Sequence, residues 1–424
     1  NLTIDNTTAF VKAGFTHPDD LEEEVMIQWY LYAWNTGEEK ISVFPYPYYR
    51  RQTGTNYVEV NEEIAIDDFL GYDFYLLECR NKQWKVDRWI PSYTTESRYS
   101  TIAPMNGIWE RTGEVTASSA ILHTYLTEQP PFDATEDGSL RVPPMGGYVN
   151  FSVFTDQNLQ NEVTESGFHP VDDYVFNETV GWRRANYNFR WTVTGLEPDT
   201  HYFYIVETKA SDGSGLRQAA NVNSFKTAPE KIDEKPISFV VTHCLDPYNT
   251  AYADDAEGAE RGLKVFDSML VYENSPPDFV IMQGDTVYYD GGGEGYSPYV
   301  GTFLTSEYLR RWNYWYATYQ FSNLMHFFQQ VPGYWMVDDH DYWENNINLK
   351  MPDGWQIFRN VNPTPGEYGS IGENAGDYYD DNIYDTSAGD GTKYWRTIRW
   401  GKYLEIFIEE GRHHRDEDAS LIWG

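Results

Sequence analysis

Asp278-Phe-Val-Ile-Met-Gln-Gly-Asp-Thr-Val-Tyr-Tyr-Asp290 is the stretch on which the reading of this chain turns. Four apolar residues, Phe279 to Met282, run without polar alternation into Gln283-Gly284-Asp285. Such a run suits a parallel strand covered on both faces, and sheets of that kind gather ligands at the carboxyl ends of their strands. Asp285 falls at such an end. Gly284 lets the backbone come close to a bound group, while Asp285 and Tyr288 supply two anionic oxygens for a hard, highly charged metal. Taken alone, G-D-x-x-Y reads equally well as a turn whose aspartate caps the next helix.

The arrangement recurs on both sides of this stretch. Pro236 to Val241 is a second short apolar run, ending in Thr242-His243-Cys244, and Gly333 to Val337 is a third, ending in Asp338-Asp339-His340-Asp341. Between the first two, Asp254 to Tyr272 carries Leu263, Phe266, Met269 and Leu270 at helical spacing before Pro276-Pro277, which predicts a crossover helix. Ser306 to Gln330 predicts a second helix, broken near Ser322. Strand, helix, strand, helix, strand with right-handed crossovers brings Cys244, Asp285, Tyr288, Asp339 and His340 to one edge of one sheet.

His243-Cys-x-Asp-Pro-Tyr248, Gln283-Gly-Asp-Thr-Val-Tyr-Tyr-Asp290 and Val337-Asp-Asp-His-Asp-Tyr-Trp-Glu-Asn-Asn346, in this order, resemble the PhoD-like alkaline phosphatases of the metallophosphoesterase superfamily. The resemblance covers roughly residues 103 to 424. It implies a four-layer α/β/β/α catalytic domain, incomplete in this chain, and hydrolysis of phosphate esters by metal-bound hydroxide at a dinuclear, purple-type iron centre. Cys244 and Tyr288 would bind Fe3+, and Asp285 would bridge to a second divalent metal, Ca2+. Asp339 takes the ligand place of the asparagine in the superfamily's Gly-Asn-His motif. His340 takes the acid's place, protonating the leaving alkoxide or stabilising transition-state charge. Asp338, Asp341 and Asn345 would surround these ligands. Val337 stands where relatives carry tryptophan. Superfamily members place further histidine ligands well beyond the third motif, where this chain offers only His413 and His414. The expectation is a C-terminal fragment or partner chain that completes the site and the sheet.

The length of 424 residues suggests three domains, expected at 1–102, 103–229 and 237–424. Residues 1–102 alternate in short stretches, among them Met26 to Trp34, Tyr57 to Val60 and Phe74 to Cys79, and predict a β-sandwich of unknown role. In 103–229, Leu196-Glu-Pro-Asp-Thr-His-Tyr-Phe-Tyr204 is a fibronectin-III-like signature, resembling the sandwich that precedes the catalytic domain in PhoD-like enzymes. Thr227 to Pro236 is polar and bracketed by prolines, as a linker would be. Asn360 to Gly391 predicts a long loop, followed by a hairpin about Gly401-Lys402. Arg412 resembles an arginine of the PhoD-like enzymes and would anchor a phosphate oxygen; balancing the local acid excess is an equal reading.

A net charge of −35, from 66 acidic against 31 basic side chains, disfavours a nucleic-acid-binding surface or an anionic membrane as partner. Two cysteines, Cys79 and Cys244, exclude a disulfide framework. No apolar run approaches the length of a transmembrane helix, and the chain reads as a processed protein, secreted or periplasmic. Four N-x-S/T sequons, at Asn1, Asn6, Asn150 and Asn177, fit surface glycosylation if the source is eukaryotic, and chance occurrence in 424 residues is the alternative reading. The rival reading is an extracellular structural, adhesive or glycan-binding protein on a degenerate phosphoesterase fold.

Overall fold

The structure is a computed structural model, and it describes residues 2–4, 8–16, 25–35, 41–42, 48–52, 57–65, 72–85, 88–100, 104, 110–128, 144–172, 174–177, 181–184, 187–218, 221–245, 264–271, 275–286, 322–342, 358, 361–364 and 395–409. The three apolar runs form the strands Phe239–Thr242, Phe279–Met282 and Gly333–Trp335. They lie side by side and parallel, with Thr242 opposite Met282 and Met282 opposite Trp335. The middle strand is buried along its whole length, as an apolar run without alternation requires. The 239–242 strand differs. Among the described residues it is the edge of its sheet, and Phe239 and Val241 remain 42% and 46% exposed.

On the other side the sheet continues into Arg111–Gly113, Ser119–Tyr125 and Asn188–Thr194, which completes six strands. Gly113 pairs in parallel with Gly333, and the two outer strands run antiparallel. Glycine is needed at 113, because a Cβ there would stand 2.6 Å from the Pro363 carbonyl oxygen and 2.8 Å from the Trp335 ring. Arg111 is buried beside it and donates to Asn362 Oδ1 at 3.3 Å and to the Val361 carbonyl, so the strand is anchored to the segment that follows the third motif.

A further sheet is built from Gly147–Phe154, Glu162–Glu165, His169–Val171, His201–Lys209, Leu216–Gln218 and Asn223–Lys226. Its Tyr202 and Tyr204 are buried on one face, as the alternation predicts. The Tyr202 hydroxyl accepts from Glu197 N at 2.8 Å and so closes the Leu196-to-Tyr202 corner. Phe151, Tyr202 and Tyr204 of this sheet and Phe279, Ile281 and Tyr334 of the parallel strands belong to one hydrophobic core. The hairpin of Trp395–Trp400 and Leu404–Glu409 joins that core. Trp400 lies 4.6 Å from the Phe279 ring and donates to the Tyr334 hydroxyl at 2.7 Å, which in turn donates to the Val115 carbonyl at 2.6 Å. The expected linker is fastened at several points: Ala228 N donates to Thr116 O, Lys402 N donates to Asp233 O, and Lys235 meets Asp199.

Helix Lys264–Val271 occupies the described part of the first crossover, and Ser322–Phe328 the end of the second. They pack through Phe266 and Phe327, whose rings are 5.1 Å apart. Residues 254–263, 272 and 306–321 of these expected helices lie outside the described residues. Nearer the amino terminus are two sheets, one of Leu2–Ile4, Thr8–Thr16 and Tyr57–Ala65, the other of Val25–Trp34, Ile41–Ser42, Tyr48–Gln52, Phe74–Lys85 and Arg88–Ser100. Among the described residues no helix is long and apolar enough to cross a membrane.

The sequon at Asn150 requires a correction. The residue is only 1% exposed, and Nδ2 donates to Ser152 Oγ, Glu165 Oε2 and Glu207 Oε2, so the nitrogen that would carry a glycan is enclosed in the sheet. The side chains of Asn1, Asn6 and Asn177 lie outside the described residues.

Candidate metal centre

Two of the three parallel strands end in left-handed residues that are not glycine. Cys244 has φ 53° and Asp285 has φ 51°. Outside glycine this conformation is uncommon and costs on the order of 1 kcal/mol or more, so it persists where surrounding structure enforces it, often at functional sites. The enforcement is visible: Cys244 N donates to the Gly284 carbonyl at 3.4 Å, and Leu245 N donates to the Asp285 carbonyl at 2.9 Å. These bonds tie the two strand ends together, with Asp285 buried and Cys244 exposed at the sheet's edge. Cys244 Sγ and Asp285 Oδ2 come within 3.4 Å, a separation two donors on one ion can share. A thiolate and a carboxylate are both metal-ligating once deprotonated.

The third strand end is fixed by Asp341, in the short helix Asp339–Tyr342. Its carboxylate is fully buried and accepts three backbone N–H groups: Asp285 N at 2.8 Å, Thr286 N at 2.7 Å and Asp338 N at 3.0 Å. One side chain thus clamps the second strand end to the third, through the strong bonds of an ionised acceptor. Gly284, at φ 97°, makes this approach possible. A Cβ there would lie 2.5 Å from Asp338 Cβ and 2.7 Å from Asp338 N. His340 is buried, and its backbone N–H donates to Asp285 Oδ1 at 3.3 Å. Thr286 Oγ1 is buried and has no hydrogen-bond partner among the described residues.

Of the residues singled out in the sequence, Cys244, Asp285, Asp338, His340 and Asp341 are brought to this one place. Asp339 opens the short helix, but its side chain lies outside the described residues, as do Tyr288, Asn345, Arg412, His413 and His414. Among the described residues no group of three or more His, Cys, Asp or Glu is gathered as a metal site. What is described fits part of one: a sulfur and a carboxylate in contact, with a buried hydroxyl on the residue that follows the carboxylate. The motif reading gave His243 no role, yet its Nδ1 lies 3.0 Å from Cys244 Sγ. Adjacency to the cysteine was the one available signal.

Residues 257–421 match the family model of the PhoD-like phosphatases, so the resemblance read from the motifs is borne out over that stretch. The second and third motifs fall within the match, and His243-Cys244 falls before it. A solved structure of PhoD is 17% identical, covers 74% of this chain and 53% of its own, with a TM-score of 0.49. Purple acid phosphatase PPD1 from yellow lupin (Lupinus luteus) seeds is 13% identical, covers 98% of this chain and 66% of its own, with a TM-score of 0.39. This chain therefore spans about half the length of the first and under two thirds of the second. No curated protein matches it in sequence.

Proposed function

We propose that this chain is a metal-dependent phosphoric ester hydrolase of the PhoD-like kind. The observation that carries the reading is the 3.4 Å contact of Cys244 Sγ with Asp285 Oδ2, made by two left-handed residues at the ends of neighbouring parallel strands. In this proposal Cys244 and Tyr288 would hold Fe3+, Asp285 would serve both Fe3+ and a second divalent metal, Ca2+, and Asp339 would hold that second metal. When bound, such a pair of cations supplies a water nucleophile of lowered pKa and neutralises charge on the phosphoryl oxygens.

The chain's own residues do the rest. Asp341 holds the Asp285 backbone in register through its three N–H acceptor bonds. His340, fixed beside Asp285, meets the leaving group and gives it a proton or offsets its developing charge. Asp338 and Asn345 support the ligands, and Arg412 anchors a phosphate oxygen. A catalytic second ion wants three or more protein ligands. Donors beyond Asp285 and Asp339 are accordingly part of the proposal, supplied by residues outside the described segments or by another chain. The proposal also includes an extracellular or periplasmic setting, β-sandwiches over 1–102 and 103–229, and the catalytic unit over 237–424.

The test is to load the purified protein with iron and calcium, measure metal stoichiometry, and assay a phosphate monoester and a diester. A ferric phenolate absorbs visible light, so the loaded protein is expected to be coloured and Tyr288→Phe to bleach it. An active protein that is colourless and holds no iron would overturn the assignment.

A further inference from the structure

We infer that His243 is a positioning residue whose Nδ1–H donates to the Cys244 sulfur and weakens its electron donation to a bound metal. The inference rests on the metal-centre reading above. Side chains of successive residues on a strand point to opposite faces. Here the left-handed turn at Cys244, φ 53°, breaks that alternation and brings His243 Nδ1 to 3.0 Å from Cys244 Sγ. A ligating sulfur is a thiolate and has no proton to give. The imidazole must therefore be the donor, which fixes its proton on Nδ1.

The geometry around Sγ is two-sided. Asp285 Oδ2 stands at 3.4 Å and the His243 ring at 3.0 Å, so an anionic group and an N–H donor bear on the same sulfur. The negative charge of the carboxylate favours the more positive, ferric ion, and the N–H bond opposes it by drawing electron density from the sulfur. Hydrogen bonds to ligating sulfurs are among the levers that set the reduction potential of an iron site, and residues that orient a ligand from outside the coordination shell alter affinity and electronics without binding the metal. Losing the His243 bond leaves a more electron-rich sulfur, which favours ferric over ferrous iron.

The experiment is a redox titration of the iron-loaded protein, followed by its visible absorption, for wild type, His243→Ala and His243→Asn, with iron content measured on each. His243→Ala is expected to keep its iron and to raise the ferric-to-ferrous ratio at a fixed potential about tenfold, equivalent to ~59 mV for one electron. His243→Asn, whose amide N–H can still donate, is expected to recover part of the difference. An unchanged ratio in His243→Ala overturns the inference, and so does loss of iron, which would make His243 a ligand. A wild-type protein that takes up no iron overturns the metal-centre reading and this inference with it.

Discussion

The central strand has an aspartate just before it and another just beyond it, and the two serve different ends. Asp278 lies before Phe279 in ordinary backbone and meets a cation: its Oδ1 is 3.2 Å from Lys226 Nζ, and its Oδ2 accepts Ser238 N at 2.9 Å. Lys226 in turn reaches Asp199 at 2.9 Å, and Lys235 reaches the same carboxylate at 2.8 Å. Asp285, beyond the carboxyl end, sits in a left-handed turn and meets a thiol and a backbone amide. The first aspartate is an anchor between the central strand and Lys226 at the end of the strand Asn223–Lys226. The second is held in a strained, buried place where the contacts described for it are those of a prospective ligand. What separates them is the backbone and the partner, and neither is written in the residue type.

The largest effect expected from breaking this asymmetry is at the second aspartate. Asp285→Asn should lower phosphoesterase activity by at least ~100-fold and strip both metals, as read by turnover and metal analysis, because it is the one proposed shared ligand. Full metal content with full activity would remove the bridging role. Asp341→Asn should come next. It replaces one acceptor oxygen by an amide nitrogen facing buried N–H groups, at a cost of about 1–3 kcal/mol for each N–H left unsatisfied. Thermal unfolding and metal content should fall together. Gly284→Ala should cost more than ~1 kcal/mol and displace the third strand end, because its Cβ would meet Asp338 in a backbone conformation that disfavours alanine. Denaturant unfolding would show the loss, and an unaltered midpoint would discount the close approach.

The smallest effect belongs to the anchor. Burial works against ionisation of Asp199, but hydrogen bonds from Lys235 and Lys226 outweigh it and hold its carboxyl below the usual carboxylate range. A depressed folded-state value stabilises the fold above the unfolded value of about 3.9, and that contribution disappears as pH falls through the depressed value. Burial likewise works to lower Lys226, and its hydrogen bond with Asp199 and the charge of Asp278 reverse the direction. Its contribution is present below the unfolded value of about 10.4 and is lost as pH rises through the raised one. Asp199→Asn should therefore cost roughly 0.2–1 kcal/mol at neutral pH. In urea melts the difference from wild type should close at strongly acid pH.

The parallel strands were legible because Phe279 to Met282 and its two companions are short apolar runs ending in ligand-type residues. Their convergence followed from topology, as did the place of Asp285, His340 and Asp341. The strand Arg111–Gly113 was not legible. Arg-Thr-Gly carries no apolar signal, and its burial is decided by partners far along the chain, Asn362 and Val361 for Arg111 and Tyr204 for Thr112. The exposure of Phe239 and Val241 was equally hidden, since an apolar run does not say whether its strand is central or at an edge. The left-handed turns at Cys244 and Asp285 escaped because neither residue type announces one. They are imposed by bonds between neighbouring strand ends, which sequence order does not display.

The insertion of 111–113 between the parallel strands and the antiparallel pair has a practical consequence for anyone cutting this protein. A protease that nicks the chain within 227–236 would sever the covalent path between the strands that precede residue 227 and the parallel strands, but not the sheet or the core they share. The two pieces should elute as one species on gel filtration and part only in denaturant. A fragment begun at residue 237 would uncover Tyr334 and the flank of Trp335 and should precipitate, whereas a fragment begun near residue 104 keeps the whole six-stranded sheet.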